Sequence, residues 1–102
     1  MSEARVAALE DVPPGRLTLV ETLGVRVVLS RTADQVYACG EVCTHRGGPL
    51  SEGKLSGTRL TCPWHGWMFD VRTGQCIFPA RGTAIASYAV RVDGNDVFVD
   101  VP

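Results

Sequence analysis

The pattern of apolar and polar residues along the chain predicts short β-strands. Several short segments are rich in valine, leucine and aromatic residues, which suit a pleated surface, and glycine, proline, aspartate or asparagine interrupts them. No sustained helical period is visible in residues 1–39. The framework strands are predicted at residues 5–10, 16–22, 25–30, 36–39, 84–92 and 97–101.

Turn signals between these strands favour antiparallel hairpins. Leu23-Gly24 separates the second and third strands, and residues 93–96, Asp-Gly-Asn-Asp, separate the last two. Glycine reaches a positive φ without strain, so such dipeptides are strong hairpin signals. Short strands with frequent turn signals predict an all-β fold, either an antiparallel β-sandwich or a small barrel.

Residues 40–79 differ from the rest of the chain in their density of glycine and proline. Short strands fit this region at residues 54–56, 59–61, 68–70 and 76–78. We interpret the region as a sub-domain that presents two loops, inserted into a basal framework of residues 1–39 and 80–102. A length of 102 residues suits one domain, residues 1–102, with a modest core.

Composition narrows the classes of function. A hydrophobic content of 45% with a net charge of −1 is typical of a globular protein and does not favour nucleic-acid binding. No apolar run approaches the roughly 18–20 residues of a membrane span, and the acidic residues near the start argue against a signal peptide. We therefore expect a cytoplasmic protein without a membrane partner, in a compartment where disulfides are rare.

The candidate chemistry lies in two short pairs, Cys43-x-His45 and Cys62-x-x-His65. They contain both histidines of the chain and two of its four cysteines. Four such ligands could hold a structural zinc ion or a [2Fe–2S] cluster in which histidines replace two cysteines. A zinc finger groups its cysteines in one unit and its histidines in another. Here each unit contains one cysteine and one histidine, which favours a two-iron cluster over a zinc ion. Cys39 and Cys76 are predicted to be small buried residues on strands.

The motifs themselves resemble a known family. Residues 43–48, Cys-Thr-His-Arg-Gly-Gly, and residues 62–67, Cys-Pro-Trp-His-Gly-Trp, resemble the two cluster loops of Rieske iron–sulfur proteins. Residues 68–74 resemble the segment that follows in bacterial Rieske ferredoxins. The resemblance implies that Cys43 and Cys62 bind an inner iron, and that His45 and His65 bind an outer iron through Nδ1. It also implies a Rieske fold of three stacked antiparallel sheets, with the cluster-binding sub-domain at one tip.

Three positions depart from the respiratory members of that family. Those proteins carry one more cysteine in each loop, which pair as a disulfide, and the matching positions here are Gly48 and Trp64. The serine that follows His-Gly there, and donates to a sulfide, is replaced by Trp67. Fewer donors to the sulfurs stabilise the reduced cluster less, so we expect a potential at the low end of the Rieske range, about −150 mV.

The resemblance implies an electron carrier and not an enzyme. We expect a ferredoxin that passes single electrons from a flavoprotein NAD(P)H reductase to the terminal oxygenase of an aromatic-ring dioxygenase. The expected docking surface surrounds the loop tips, at His45, Arg46, Pro49, Trp64 and His65. Two alternatives remain open, the small Rieske subunit of an assimilatory nitrite reductase and a zinc-stabilised interaction module.

Overall fold

The computed structural model describes residues 2–32, 35–43, 47–64, 66–79 and 83–102. Within these ranges the chain forms β-strands and two short 3-10 helices. The strands are β1 Ser2–Ala8, β2 Leu17–Thr22, β3 Val25–Arg31, β4 Val36–Gly40, β5 Lys54–Ser56, β6 Arg59–Thr61, β7 Met68–Asp70, β8 Cys76–Phe78, β9 Ser87–Asp93 and β10 Asp96–Val101. The 3-10 helices are Leu9–Asp11 and Leu50–Glu52. The four short strands β5–β8 have the bounds that the sequence predicts.

The strands form antiparallel sheets. Six of them follow the order β1-β10-β9-β4-β3-β2, and the other four follow the order β5-β6-β7-β8. Ser87 and Tyr88, at the start of β9, pair with β4, whereas Ala89–Asp93 pair with β10. The predicted all-β antiparallel fold is confirmed. Because β9 pairs with both β4 and β10, two of the three expected sheets are joined into one six-stranded sheet.

The predicted reversals between strands are also confirmed. Leu23 and Gly24, which connect β2 to β3, have φ values of 51° and 77°. The left-handed conformation at both positions matches the right-handed twist of a two-residue hairpin. Gly94 has the same conformation, with a φ of 61°, in the turn from β9 to β10.

Two strands, β1 and β9, differ from the prediction by more than one residue. β1 begins at residue 2, three residues before the predicted start, because its first residues already pair with β10. The first strand ends at Ala8 because the chain then turns into a 3-10 helix, whose Asp11 carboxylate accepts a hydrogen bond from the Ala8 N–H. The strand predicted at residues 84–92 begins only at Ser87. Residues 84 and 85 pair elsewhere: Ala84 bridges to Gln75, and the Ile85 N–H donates to the Gly74 carbonyl.

Two hydrophobic clusters support the sheets. One lies within the framework and includes Val27, Leu29, Val97 and Val99. The other joins framework residues such as Val28 and Cys39 to residues of the β5–β8 region, among them Leu60 and Phe69. Val28 and Leu29 are consecutive residues of β3 and belong to different clusters, because successive side chains of a strand point to opposite faces. The second cluster fixes the base on which the two Cys-His loops stand.

Candidate metal centre

The two loops that contain Cys43 and Cys62 have the same backbone hydrogen bonds. In the first loop, residues 43–48, the Cys43 N–H donates to the Gly48 carbonyl and the Gly47 N–H donates to the Cys43 carbonyl, both at 2.9 Å. In the second loop, residues 62–67, the Cys62 N–H donates to the Trp67 carbonyl at 2.7 Å and the Gly66 N–H donates to the Cys62 carbonyl at 3.2 Å. The two cysteines therefore occupy equivalent positions.

The residues that flank the loops reinforce this equivalence. Val42 bridges to Pro49 around the first loop, and Thr61 pairs with Met68 around the second. The glycine before each closing residue, Gly47 or Gly66, has a φ of 71°. A glycine is needed at both positions because this left-handed conformation is strained for other residues.

The first loop lies directly against the side chains of the second. A Cβ atom added to Gly48 would lie 2.8 Å from the Cys62 Sγ and 3.3 Å from the nearest atoms of the Trp64 indole. The φ of Gly48 is not positive, so lack of space, and not backbone conformation, makes glycine necessary here. The structure thus brings the Cys43 and Cys62 loops together, as the sequence predicts.

The thiols of the two loops are buried, whereas Trp64 in the second loop is exposed. Cys43 and Cys62 are 1% and 2% exposed and belong to the same hydrophobic cluster as Leu50 and Phe69. The Trp64 side chain, in contrast, is 56% exposed. His45, Arg46 and His65 lie outside the described residues.

The two other cysteines have a different environment. Cys39, on β4, and Cys76, on β8, are buried, which confirms their predicted positions. The Cys39 thiol donates to the Val71 carbonyl at 3.5 Å, and the Cys76 thiol donates to the Phe78 carbonyl at 3.3 Å. Burial, with the nearby charge of Asp70, raises the pKa of Cys39 to about 12. A thiol that stays protonated at neutral pH is a poor metal ligand.

This arrangement fits an iron–sulfur cluster. Cluster irons are held by cysteine thiolates, and their properties depend on burial and on hydrogen bonds near the sulfurs. Here two buried thiols stand on equivalent loops that touch each other, and the sequence adds one histidine to each loop. All four cysteines are described, and no disulfide joins any of them.

Comparison with known proteins decides the family. Residues 2–89 match the family model of the Rieske [2Fe-2S] domain. The chain belongs to the Rieske [2Fe-2S] family. Its cofactor is a single Rieske-type [2Fe-2S] cluster, as the motif spacing predicts.

The relatives of this Rieske protein include ferredoxins of dioxygenase systems. It is 32% identical over 94 residues to the ferredoxin component of the naphthalene 1,2-dioxygenase system of Pseudomonas aeruginosa. The matched residues are 92% of this chain and 90% of the relative. The solved ferredoxin of carbazole 1,9a-dioxygenase from Nocardioides aromaticivorans IC177 is 33% identical, covers 97% of both chains and superposes with a TM-score of 0.91.

Two further structures bear on partners and on the alternatives. One is a complex of reduced oxygenase and oxidized ferredoxin in carbazole 1,9a-dioxygenase, in which one chain is 34% identical to this protein. The match covers 95% of this protein and 91% of the chain in the complex, with a TM-score of 0.87. A protein described as the small subunit of an NADPH nitrite reductase has a TM-score of 0.86 over 99% of this chain and all of the other. Its identity of 23% shows a common fold only.

Sequence reasoning missed Glu41, a buried carboxylate two residues before Cys43. Its side chain binds Ser51, beyond the far end of the first loop. Nothing in the sequence around it, Cys39-Gly-Glu-Val-Cys43, distinguishes this glutamate from a solvated surface residue. Only the fold shows that residues 41 and 51 meet.

Proposed function

We propose that this Rieske protein is a ferredoxin that carries single electrons from a flavoprotein reductase to the terminal oxygenase of an aromatic-ring dioxygenase. The observation that carries the proposal is its identity of more than 30% with ferredoxin components over about nine tenths of both chains. The structure of a related ferredoxin bound to its oxygenase supports the oxygenase as the electron acceptor. The reductase is inferred from the role of a carrier, which needs a donor as well as an acceptor.

The ligands follow from the equivalent loops. Cys43 and Cys62 are proposed to bind one iron, and His45 and His65 the other. The cluster supplies one-electron redox chemistry when bound. The protein contributes two buried thiols, the close approach of Gly48 to Cys62 and the surrounding hydrophobic cluster, which excludes water from one side of the site.

The docking surface is proposed at the loop tips, around His45, Arg46, Pro49, Trp64 and His65. Exposed apolar side chains support this location: Trp64 is 56% exposed and Val42, next to Cys43, is 60% exposed. Aromatic residues and arginine are enriched in protein interfaces, so Trp64 and Arg46 are the strongest contacts to test.

A location in the cytoplasm stays a prediction. Among the described residues, no helix combines the length and the apolar character that crossing a membrane requires. The role of a nitrite reductase subunit is less favoured, because the similarity to that protein reaches only the level of the fold.

Electron transfer between purified proteins tests this function. The reduced protein is mixed with the oxidised terminal oxygenase of a carbazole or naphthalene dioxygenase system, or with a sirohaem nitrite reductase, and its reoxidation is followed by absorbance. We expect fast reoxidation by an oxygenase and slow reoxidation by the nitrite reductase. The opposite order of rates would replace the proposed function by the alternative.

Substitution of Arg46 tests the docking surface separately. The Arg46→Glu variant should transfer electrons more slowly and keep the visible absorption of the cluster. Arg5→Glu, on the framework strand β1, is the matched charge reversal away from the two loops. Equal rates for the two variants and the parent would remove Arg46 from the docking surface.

A further inference from the structure

The buried carboxylate of Glu41 is a feature that the ligand set and the docking surface do not explain. Glu41 is 6% exposed and follows β4 directly, two residues before Cys43. None of the ion pairs among the described residues includes it. Burying a carboxylate is costly unless it is well hydrogen-bonded, so its surroundings require an explanation.

Glu41 fastens the chain that enters the first loop to the chain that leaves it. Its Oε1 accepts a hydrogen bond from the Ser51 N–H, and its Oε2 accepts one from the Ser51 hydroxyl, both at 2.6 Å. Its backbone carbonyl accepts the Leu50 N–H at 2.8 Å. Three hydrogen bonds therefore connect residue 41 to residues 50 and 51, just outside the bridge between Val42 and Pro49.

The second loop is held at its base in a different way. There β6 and β7 continue the antiparallel ladder with three successive pairs, Arg59 with Asp70, Leu60 with Phe69 and Thr61 with Met68. The first loop has the single bridge between Val42 and Pro49, because its exit turns at once into the 3-10 helix Leu50–Glu52. The carboxylate of Glu41 binds Ser51 in that helix. These bonds hold the base of the first loop where further backbone pairs hold the base of the second.

We propose that Glu41 is the positioning residue of the first cluster loop, and that its buried carboxylate also lowers the reduction potential of the cluster. The positioning follows from the hydrogen bonds to Ser51, which close the base of the loop that carries Cys43. The effect on the potential follows from charge: a buried carboxylate two residues before the buried Cys43 is poorly screened by solvent, and its negative charge opposes the addition of an electron. Net charge near an iron–sulfur cluster is one of the determinants of its potential.

Three variants separate charge from position. Glu41→Gln removes the charge and keeps the shape of the side chain. Ser51→Ala removes the hydroxyl donor and keeps the carboxylate. Glu52→Gln is the matched control, because Glu52 is an exposed carboxylate in the same 3-10 helix and its replacement changes the net charge equally.

The readouts are the midpoint potential by protein-film voltammetry and the rate of iron release to a chelator. We expect Glu41→Gln to shift the potential upward, whereas Ser51→Ala and Glu52→Gln should not raise it. Iron release should be several-fold faster in both Glu41→Gln and Ser51→Ala than in Glu52→Gln. A purely structural role would move the potentials of Glu41→Gln and Ser51→Ala in the same direction.

Two results would overturn the proposal. A potential of Glu41→Gln equal to that of the parent would remove the electrostatic effect. Iron release from Ser51→Ala at the parental rate would remove the positioning role, and this second measurement holds even if Glu41→Gln fails to fold. Both readouts are independent of electron transfer to a partner, so they do not depend on the ferredoxin function.

Discussion

Gly48 in the first loop lies against the thiol of Cys62 in the second, so closely that a single methyl group would not fit between them. A Cβ at residue 48 would lie 2.8 Å from the Cys62 Sγ. Real Cβ atoms do not approach sulfur so closely, and the thiol is held by the surrounding hydrophobic cluster. The contact means that the backbone of one loop forms part of the environment of the other loop's sulfur.

Replacement of Gly48 by alanine should therefore impair cluster assembly. The added methyl group must displace Cys62 or the Trp64 indole, and such overpacking costs about 1–3 kcal/mol. We expect a lower iron content per chain and a lower unfolding temperature, measured by iron analysis and calorimetry. Gly40→Ala is the control, because the Cβ added there would meet the Ala86 Cβ at an ordinary 3.4 Å. Equal iron content in the two variants would contradict the close contact.

Gly48 and Trp64 also bear on the reduction potential. The resemblance of the loops to those of respiratory Rieske proteins matches Gly48 and Trp64 to the cysteines of their disulfide, and Trp67 to their serine donor. We predict a midpoint potential near the low end of the Rieske range, about −150 mV. Voltammetry of the native protein measures it directly, and a strongly positive value would refute the prediction.

Trp64 should protect the cluster from solvent. Its indole covers Gly48 while more than half of its own surface faces outward. The Trp64→Ala variant should admit water to the loop contact, which favours the more negative reduced cluster and raises the potential. Leu23→Ala, at an exposed apolar residue of the β2–β3 turn, serves as the control. An unchanged potential in Trp64→Ala would mean that the indole shields nothing.

Cys39 should be inert toward thiol reagents in the folded protein. Burial raises its pKa to about 12, so the reactive thiolate forms only as the pH rises through about 12. At pH 8 this leaves about one thiolate in ten thousand thiols, in addition to the steric protection of the core. After treatment of the folded protein with iodoacetamide at pH 8, mass spectrometry should show an unmodified Cys39 peptide. Alkylation of Cys39 should require unfolding. Rapid alkylation under native conditions would show that the residue is accessible.

Much of the fold could be predicted from local sequence. Strands β5–β8 have the predicted bounds because glycine and proline, such as Gly53, Gly57 and Pro79, divide this region into short extended segments. The hairpin at Leu23 and Gly24 has its own local signal. The start of β9 could not be predicted in this way. Ile85 is a residue type that favours strands, but its N–H donates to the carbonyl of Gly74, eleven residues earlier, so β9 begins only at Ser87.

The candidate site shows the same division between local and non-local information. The two Cys-His pairs predict the ligand types, but their different spacings hide the equivalence of the loops. That equivalence lies in the backbone, where Gly47 and Gly66 hold the same place relative to Cys43 and Cys62. The contact between Gly48 and Cys62 and the bond between Glu41 and Ser51 join residues from separate segments, so they required the structure.

Ligation of the cluster by both histidines is tested most directly by electron paramagnetic resonance on the reduced protein with ¹⁵N-labelled histidine. The chain has only two histidines, His45 and His65, so both labels report on the proposed ligands. We expect a Rieske-type signal with hyperfine coupling to two histidine nitrogens. A colourless protein without this signal, or a cluster without coupling to either histidine, would contradict it.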